Sequence, residues 1–219
     1  MRFLPESSRT KSKVEDVIGE GAIWCDSVAE CAKGRDAVIS IVGYPKAMVI
    51  EVYFGPAWTS ANADPGTYVI DMTTTSPKLA VQIFDQAEKL GLHAIDAPVT
   101  GGDSGAKAGM LKTILAGGKK EDFDTCMPVF EAMGKNINYE GKAGNGQHTK
   151  MCNQIAIAGA LAGACEAMVY AKNVGLGCGC DVKIHLYRCS RKRTDEQCCF
   201  QGIEGWFNLR IFLKHFIKI

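Results

Sequence analysis

Between residues 22 and 141 the chain alternates short aliphatic, β-branched runs with longer stretches of helical periodicity, and this alternation is what most constrains its fold. The β-rich runs fall at 22–25, 37–42, 68–72, 93–99, 113–115 and 137–140. Several are apolar without a polar alternate, as strands covered on both faces are. Strand, helix and strand in repetition give a parallel sheet flanked by helices. The clearest helix is 77–90: Ser76 stands at its cap and Pro77 opens it. Leu79, Val81, Ile83, Phe84 and Leu90 give it an apolar face, and Gly91 ends it.

Past a glycine-containing loop at 141–146 the pattern changes to one long helix, 147–174, interrupted only by Gly159 and Gly163. Met151, Ile155, Ala158, Ala162, Cys165 and Val169 form one apolar stripe, and Ile157, Leu161 and Met168 a second. A helix apolar on so many sides is expected to be buried, against the sheet domain and other helices or against the same helix of another subunit. Residues 177–205 carry five cysteines and a basic run without a sustained period, and helical spacing resumes at Phe212, Phe216 and Ile219.

Composition narrows the functional classes. A formal charge of +1 with 47% hydrophobic residues gives no electrostatic reason to expect nucleic acid or an anionic membrane as partner. No apolar run approaches the roughly 20 residues of a bilayer span, and the first residues lack a secretory apolar region, so a cytoplasmic home is expected. Of the ten cysteines, five are scattered singly through apolar segments as small core residues are. Cys178, Cys180, Cys189, Cys198 and Cys199 crowd the tail without a paired Cys-x-x-Cys spacing, so reduced thiols rather than a metal cluster are expected.

Two segments carry chemistry. In Asp96-Ala97-Pro98-Val99-Thr100-Gly101-Gly102 a buried strand runs straight into a hydroxyl and two glycines. Ligands of open α/β sheets bind beyond the carboxyl ends of strands, where exposed amides hold anions; an ordinary strand-to-helix turn would present the same residues. In Gly144-Asn145-Gly146-Gln147-His148-Thr149-Lys150, followed by Asn153 and Gln154, a polar patch interrupts an otherwise apolar helix. A lysine in the first helical turn faces the positive end of the helix dipole, which disfavours its charged form and suits proton transfer near neutral pH. A snorkelling surface lysine is the alternative there. His148 reads as solvent-exposed or structural.

Together these segments resemble the 3-hydroxyacid dehydrogenase family, of the 3-hydroxyisobutyrate dehydrogenase and tartronate semialdehyde reductase type. Residues 96–102 resemble its Asp-Ala-Pro-Val-Ser-Gly-Gly substrate motif, and 144–154 its Gly-x-Gly-Gln loop leading to Lys-x-x-Asn. Further matches are Val42-Gly43-Tyr44-Pro45, Asp71-Met72-Thr73-Thr74-Thr75-Ser76-Pro77 and Lys214-His215-Phe216-Ile217-Lys218. A 6-phosphogluconate dehydrogenase relative shares the layout but needs further phosphate-binding residues that the sequence does not display.

The resemblance implies an α/β fold: an incomplete Rossmann-type parallel sheet domain over 1–143, then an all-α domain over 144–219 for substrate and dimerisation, begun by the long helix. It implies an NAD(P)-dependent oxidoreductase that interconverts a small 3-hydroxy acid and its semialdehyde or oxo acid. Lys150 would be the general acid and base. Thr100, Gly101 and Gly102 would hold the substrate carboxylate, with Thr100 in place of the family's serine, and Asn153 and Gln154 would orient the reacting oxygen. Arg9, Thr10, Tyr44, Pro45, Thr74 and Lys218 would flank the cofactor. Ser8-Arg9-Thr10 resembles the Asn-Arg-Thr that meets a 2′-phosphate, so NADP is expected over NAD. A homo-oligomer is expected, with no metal.

The sequence departs from the family at its start. It reaches the Arg-Thr signature without a preceding strand, glycine-rich phosphate loop and first helix, and the amides of that loop hold the pyrophosphate. Weak or absent cofactor binding follows as an expectation. The alternative function is a catalytically silent fragment or dimerisation module.

Overall fold

A computed structural model describes residues 5–8, 10–42, 45–55, 62–107 and 111–175. Arg9, Tyr44, Lys218, the tail cysteines, the irregular 177–205 stretch and the 207–219 helical pattern lie outside these residues. The chain divides into two units, Met1–Lys150 and Met151–Ile219.

The first unit is built on strands β1 (Pro5–Glu6), β2 (Ile23–Trp24), β3 (Ala37–Ser40), β4 (Tyr68–Asp71), β5 (His93–Asp96), β6 (Val99–Thr100), β7 (Leu111–Gly117) and β8 (Gly134–Gly141). Its helices are α1 (Glu15–Gly19), α2 (Val28–Ala32), α3 (Pro45–Phe54), α4 (Pro77–Lys89), α5 (Gly102–Lys107) and α6 (Lys120–Met133). β3, β4 and β5 run parallel in matched register, Ala37 beside Tyr68 and Tyr68 beside His93. β7 then runs antiparallel to β5 and β6 and parallel to β8. The sheet is therefore mixed, a correction to the all-parallel expectation. β5 turns at Ala97-Pro98 into the short β6, and the connection from there to β7 is too brief for the crossover that a parallel neighbour needs.

Side-chain alternation sorts the core onto two faces. Val69 and Ala94 point with Leu92 to one face, where Val49 and Tyr53 of α3 and Leu79, Ile83 and Ala87 of α4 cover them. Ile70 and Ile95 point to the other, closing with Ile114, Ala116 and the α6 residues Phe123, Cys126 and Phe130. Fully burying side chains such as Ile70 and Phe130 stabilises the unit by roughly 1.5–3 kcal/mol each. α4 matches its sequence pattern to within a residue, although Ser76 stands at its N-cap without making a side-chain capping bond.

The sheet comes in two pieces. β1 and β2 pair only with each other, and β3 pairs with β4 on one edge, while its second edge has no partner among the described residues. Apolar side chains near these edges stay open to solvent: Ile23 is 54%, Ile39 44% and Ile41 67% exposed.

One long helix, α7 (Asn145–Asn173), begins in the first unit and supplies the described part of the second. It starts two residues earlier than its periodicity suggests. Within the single chain the described residues do not bury it: beyond Lys150, Ile155, Val169 and Tyr170 are exposed, and Ala171 is the buried residue among the described side chains. The apolar pattern records a face suited to burial, and the described residues of one chain do not cover it. By length and composition 145–171 also reaches the hydropathy of a membrane span, a mean of 1.4, contrary to the expectation that no run does. Alanine and cysteine raise that mean without large side chains, and with the glycines they equally suit close helix packing.

Candidate active site

The two chemistry-bearing segments meet. β5 delivers Asp96 to the C-terminal end of the sheet, and the chain turns through Pro98 into β6, where Val99 and Thr100 pair with Ile114 and Thr113 of β7. Gly101 and Gly102 follow with φ of +123° and +59°, backbone that only glycine adopts without strain. A Cβ on Gly102 would meet nothing within 4 Å, whereas one on Gly101 would stand 3.0 Å from the Lys112 backbone nitrogen of β7. Thr100 is half-buried at its edge.

Lys150 comes to this turn from α7. Its Nζ donates to the carbonyl oxygen of Val99 at 2.8 Å, across 51 residues of sequence, and the side chain is 8% exposed. Burial lowers its pKa below the ordinary lysine value. This corrects the sequence-based cause: with α7 starting at Asn145, Lys150 sits in the second turn, and lost hydration rather than the helix end disfavours its charge. Asn153 and Gln154 belong to the second unit, half-buried, with the Asn153 amide donating to Gln154 Oε1 at 3.3 Å. His148 is exposed, as expected.

Sequence reasoning gave Asp96 and Gln147 no individual role. Asp96 is 5% exposed; its Oδ1 accepts the Gly144 amide at 2.7 Å and its Oδ2 the Gln147 amide at 3.0 Å. Gln147 is fully buried with both ends satisfied, Oε1 accepting from the Thr75 amide at 2.9 Å and Nε2 donating to the Thr73 carbonyl at 2.7 Å. Left unpaired, such a buried amide would be costly; paired, it fixes loop 72–76 to the first turn of α7. A glutamine in the opening turn of an apolar helix was the available signal. Burial pushes the Asp96 carboxyl up to about 7, against the lowering effect of the two amides and with the Asp71 charge adding to the rise. Asp71, accepting from the Thr73 amide at 3.0 Å, is pushed up by burial to about 6.

The expected cofactor positions are less gathered. Thr74 lies half-buried in loop 72–76, between the two residues that Gln147 grips. Pro45 opens α3. Thr10 is exposed and precedes a 3-10 turn (Lys11–Lys13) without making a side-chain cap. Cys25, Cys31, Cys126, Cys152 and Cys165 are free thiols.

Comparison with known proteins accords with this geometry. Residues 6–141 match the family described as the NAD binding domain of 6-phosphogluconate dehydrogenase. An uncharacterized oxidoreductase of Bacillus subtilis, YkwC, is 46% identical over 96% of this chain and 73% of its own length. A 3-hydroxyisobutyrate dehydrogenase of Pseudomonas aeruginosa is 36% identical over 73% of this chain and 53% of its own. Among solved structures, a 3-hydroxyisobutyrate dehydrogenase from Salmonella typhimurium superposes with a TM-score of 0.82 at 26% identity, covering 98% of this chain and 74% of that one. The chain spans between 45% and 73% of the length of the leading curated relatives it matches. A family model that matches more than half its residues, with an oxidoreductase 46% identical over most of both chains, places the chain among the NAD-binding oxidoreductases of the 6-phosphogluconate dehydrogenase family, whose members similar to it include 3-hydroxyisobutyrate dehydrogenases.

Proposed function

We propose that this chain carries the carboxylate-holding and proton-transferring half of a 3-hydroxyacid dehydrogenase site, acting on a small 3-hydroxy acid and its semialdehyde or oxo form. The observation that carries the reading is the hydrogen bond from Lys150 Nζ to Val99, which sets a buried amine beside the Thr100 turn. In the reducing direction the Lys150 ammonium gives a proton to the carbonyl oxygen as its carbon is reduced; the oxygen becomes the hydroxyl and the lysine is left a neutral amine. In the oxidising direction the amine takes that proton back. Thr100 Oγ1 and the turn through Gly102 hold the carboxylate, which fixes the distance of the reacting carbon from Lys150. Asn153, one helical turn beyond Lys150 in sequence, and Gln154 orient the oxygen.

A nicotinamide dinucleotide, when bound, supplies or receives the hydride, with NADP preferred over NAD. The residues present fit it at one end and not at the other. Loop 72–76, with Thr74, is tied to the helix of Lys150 and suits the nicotinamide side. No described segment carries a Gly-x-Gly-x-x-Gly turn between a strand and a helix where a pyrophosphate could rest, and the second edge of β3 has no partner among the described residues. That split sheet favours a second reading, in which the 219-residue chain holds the acid without turning it over.

The test is oxidation of 3-hydroxyisobutyrate with NADP or NAD, followed by nicotinamide absorbance and paired with calorimetric titration of the acid and its methyl ester. Turnover that disappears in Lys150→Met, with the ester bound at least about tenfold more weakly than the acid, supports the first reading. Acid binding without turnover selects the second. Equal binding of acid and ester overturns both.

A further inference from the structure

We propose that Asp96 is a positioning residue for Lys150: from the end of β5 its carboxylate clamps the first turn of α7, so that the lysine reaches the Val99–Thr100 strand and stops there. The inference rests on the reading of Lys150 as the proton-transferring group.

Helices begin with amides that have no partner inside the helix. In α7 the N-cap is Gly144, whose carbonyl accepts from the His148 amide at 3.0 Å, and glycine has no side chain with which to cap. Its φ of +85° allows the chain to turn in from β8. Asp96 supplies what is missing, one oxygen on the N-cap amide at 2.7 Å and the other on the amide three residues further, Gln147, at 3.0 Å. In a capping box two side chains local to the helix start divide these tasks; here one carboxylate, 48 residues earlier in sequence than Gly144, performs both.

The neighbouring glycines leave the carboxylate in a fixed slot. A Cβ on Gly117 would stand 2.7 Å from Asp96 Oδ1, and one on Gly146 would stand 2.8 Å from Oδ2 and collide with the Leu115 carbonyl. The circuit closes through the lysine. Asp96 holds the helix, the helix carries Lys150, Lys150 donates to Val99, and Val99 follows Asp96 by three residues along β5 and β6. Shifting the helix by a fraction of a turn breaks both ends at once. Gln147, gripping Thr73 and Thr75, ties the same turn to the loop after β4.

Acylation of the 219-residue chain by N-acetoxysuccinimide, read lysine by lysine by peptide mass spectrometry from pH 7 to 10, tests this without requiring turnover. The exposed Lys112 and Lys142 serve as references. In Asp96→Asn, where one amide faces an NH2 group, the Lys150 rate rises at least about tenfold relative to the references and its pH profile shifts. With far-UV dichroism unchanged, an unaltered Lys150 rate and profile overturn the proposal, while the function proposed above stands or falls on its own turnover assay. Should Asp96→Asn fail to fold, hydrogen exchange in the unaltered chain at pH 8 decides. The Gly144 and Gln147 amides then exchange at least about tenfold slower than in an unstructured peptide, and unstructured rates at both overturn it.

Discussion

Lys150 and Val99 are joined by a 2.8 Å hydrogen bond that spans the join between the chain's two conspicuous motifs. The bond holds an amine that burial makes easier to deprotonate, and its consequences can be measured. In the reducing direction the ammonium form is needed, so the rate falls as pH rises through the lowered pKa of Lys150; in the oxidising direction it rises over the same range. Lys150→Arg, charged at every working pH, lowers kcat by about 100-fold or more in the oxidising direction, with a smaller change in KM. An unshifted pH–rate profile in that variant would remove Lys150 from proton transfer.

Thr100 provides the second measurement. Thr100→Val keeps the volume and removes the hydroxyl, and KM for the hydroxy acid rises about tenfold or more, as expected for a lost hydrogen bond to a carboxylate. Thr100→Ser retains the hydroxyl and leaves KM within a few-fold. Equal effects from the two variants would place the threonine away from the substrate.

The buried carboxylates set a pH dependence of stability. Asp96 and Asp71 have folded-state pKa values of about 7 and about 6, raised above the ordinary carboxylate value by burial. A raised carboxyl means that the folded chain binds more protons than the unfolded one between the two values. This contribution to stability is therefore present in acid and is lost as pH rises from about 4 to about 7. The two groups together lower stability by on the order of a few kcal/mol across that window. Urea midpoints at pH 5 and pH 7.5 check it, and a higher midpoint at pH 7.5 contradicts it.

Gly146 packs where α7 begins, and a Cβ there has no room against Leu115 and Asp96 backbone oxygens. Gly146→Ala is expected to destabilise the first unit by about 1–3 kcal/mol despite alanine's better helix propensity. Gly159→Ala, where a Cβ meets nothing within 4 Å, is expected to be neutral or stabilising. The ordering of the two thermal midpoints is the readout.

Calorimetric titration of the 219-residue chain with NADPH and NADH is expected to give dissociation constants weaker than micromolar, with NADPH the tighter of the two if both register. The reason is physical: the described residues include no Gly-x-Gly-x-x-Gly turn between a strand and a helix to offer amides to a pyrophosphate, and among them β3 has no neighbour on its second edge. Micromolar binding overturns it.

Much of the fold was legible where periodicity and punctuation agree. The runs at 68–72 and 93–99 became β4 and β5, and Pro77 and Gly91 bounded α4 as written. β8 was only half visible, because Gly134, Lys135, Asn136 and Asn138 carry little strand preference; its pairing with β7 imposes the extended backbone. The reversal of β7 was invisible, since strand direction depends on how long a connection is in space. The residue types of both motifs singled out Lys150 and Thr100, and the fold brings their two segments together through the Lys150–Val99 bond. Asp96 and Gln147 did not announce their roles, because each is defined by backbone groups of a distant segment that carry no mark in the sequence.

The capping of α7 by Asp96 also orders events in time. The carboxylate belongs to a strand made early in synthesis, and the amides that satisfy it are made 48 or more residues later. Until Gly144 and Gln147 have left the ribosome, an ionised carboxylate at the end of β5 has no partner but water, so closing the sheet over it before then is costly. Completion of the sheet and completion of the site thus become one late, cooperative event, gated by a contact of high sequence separation.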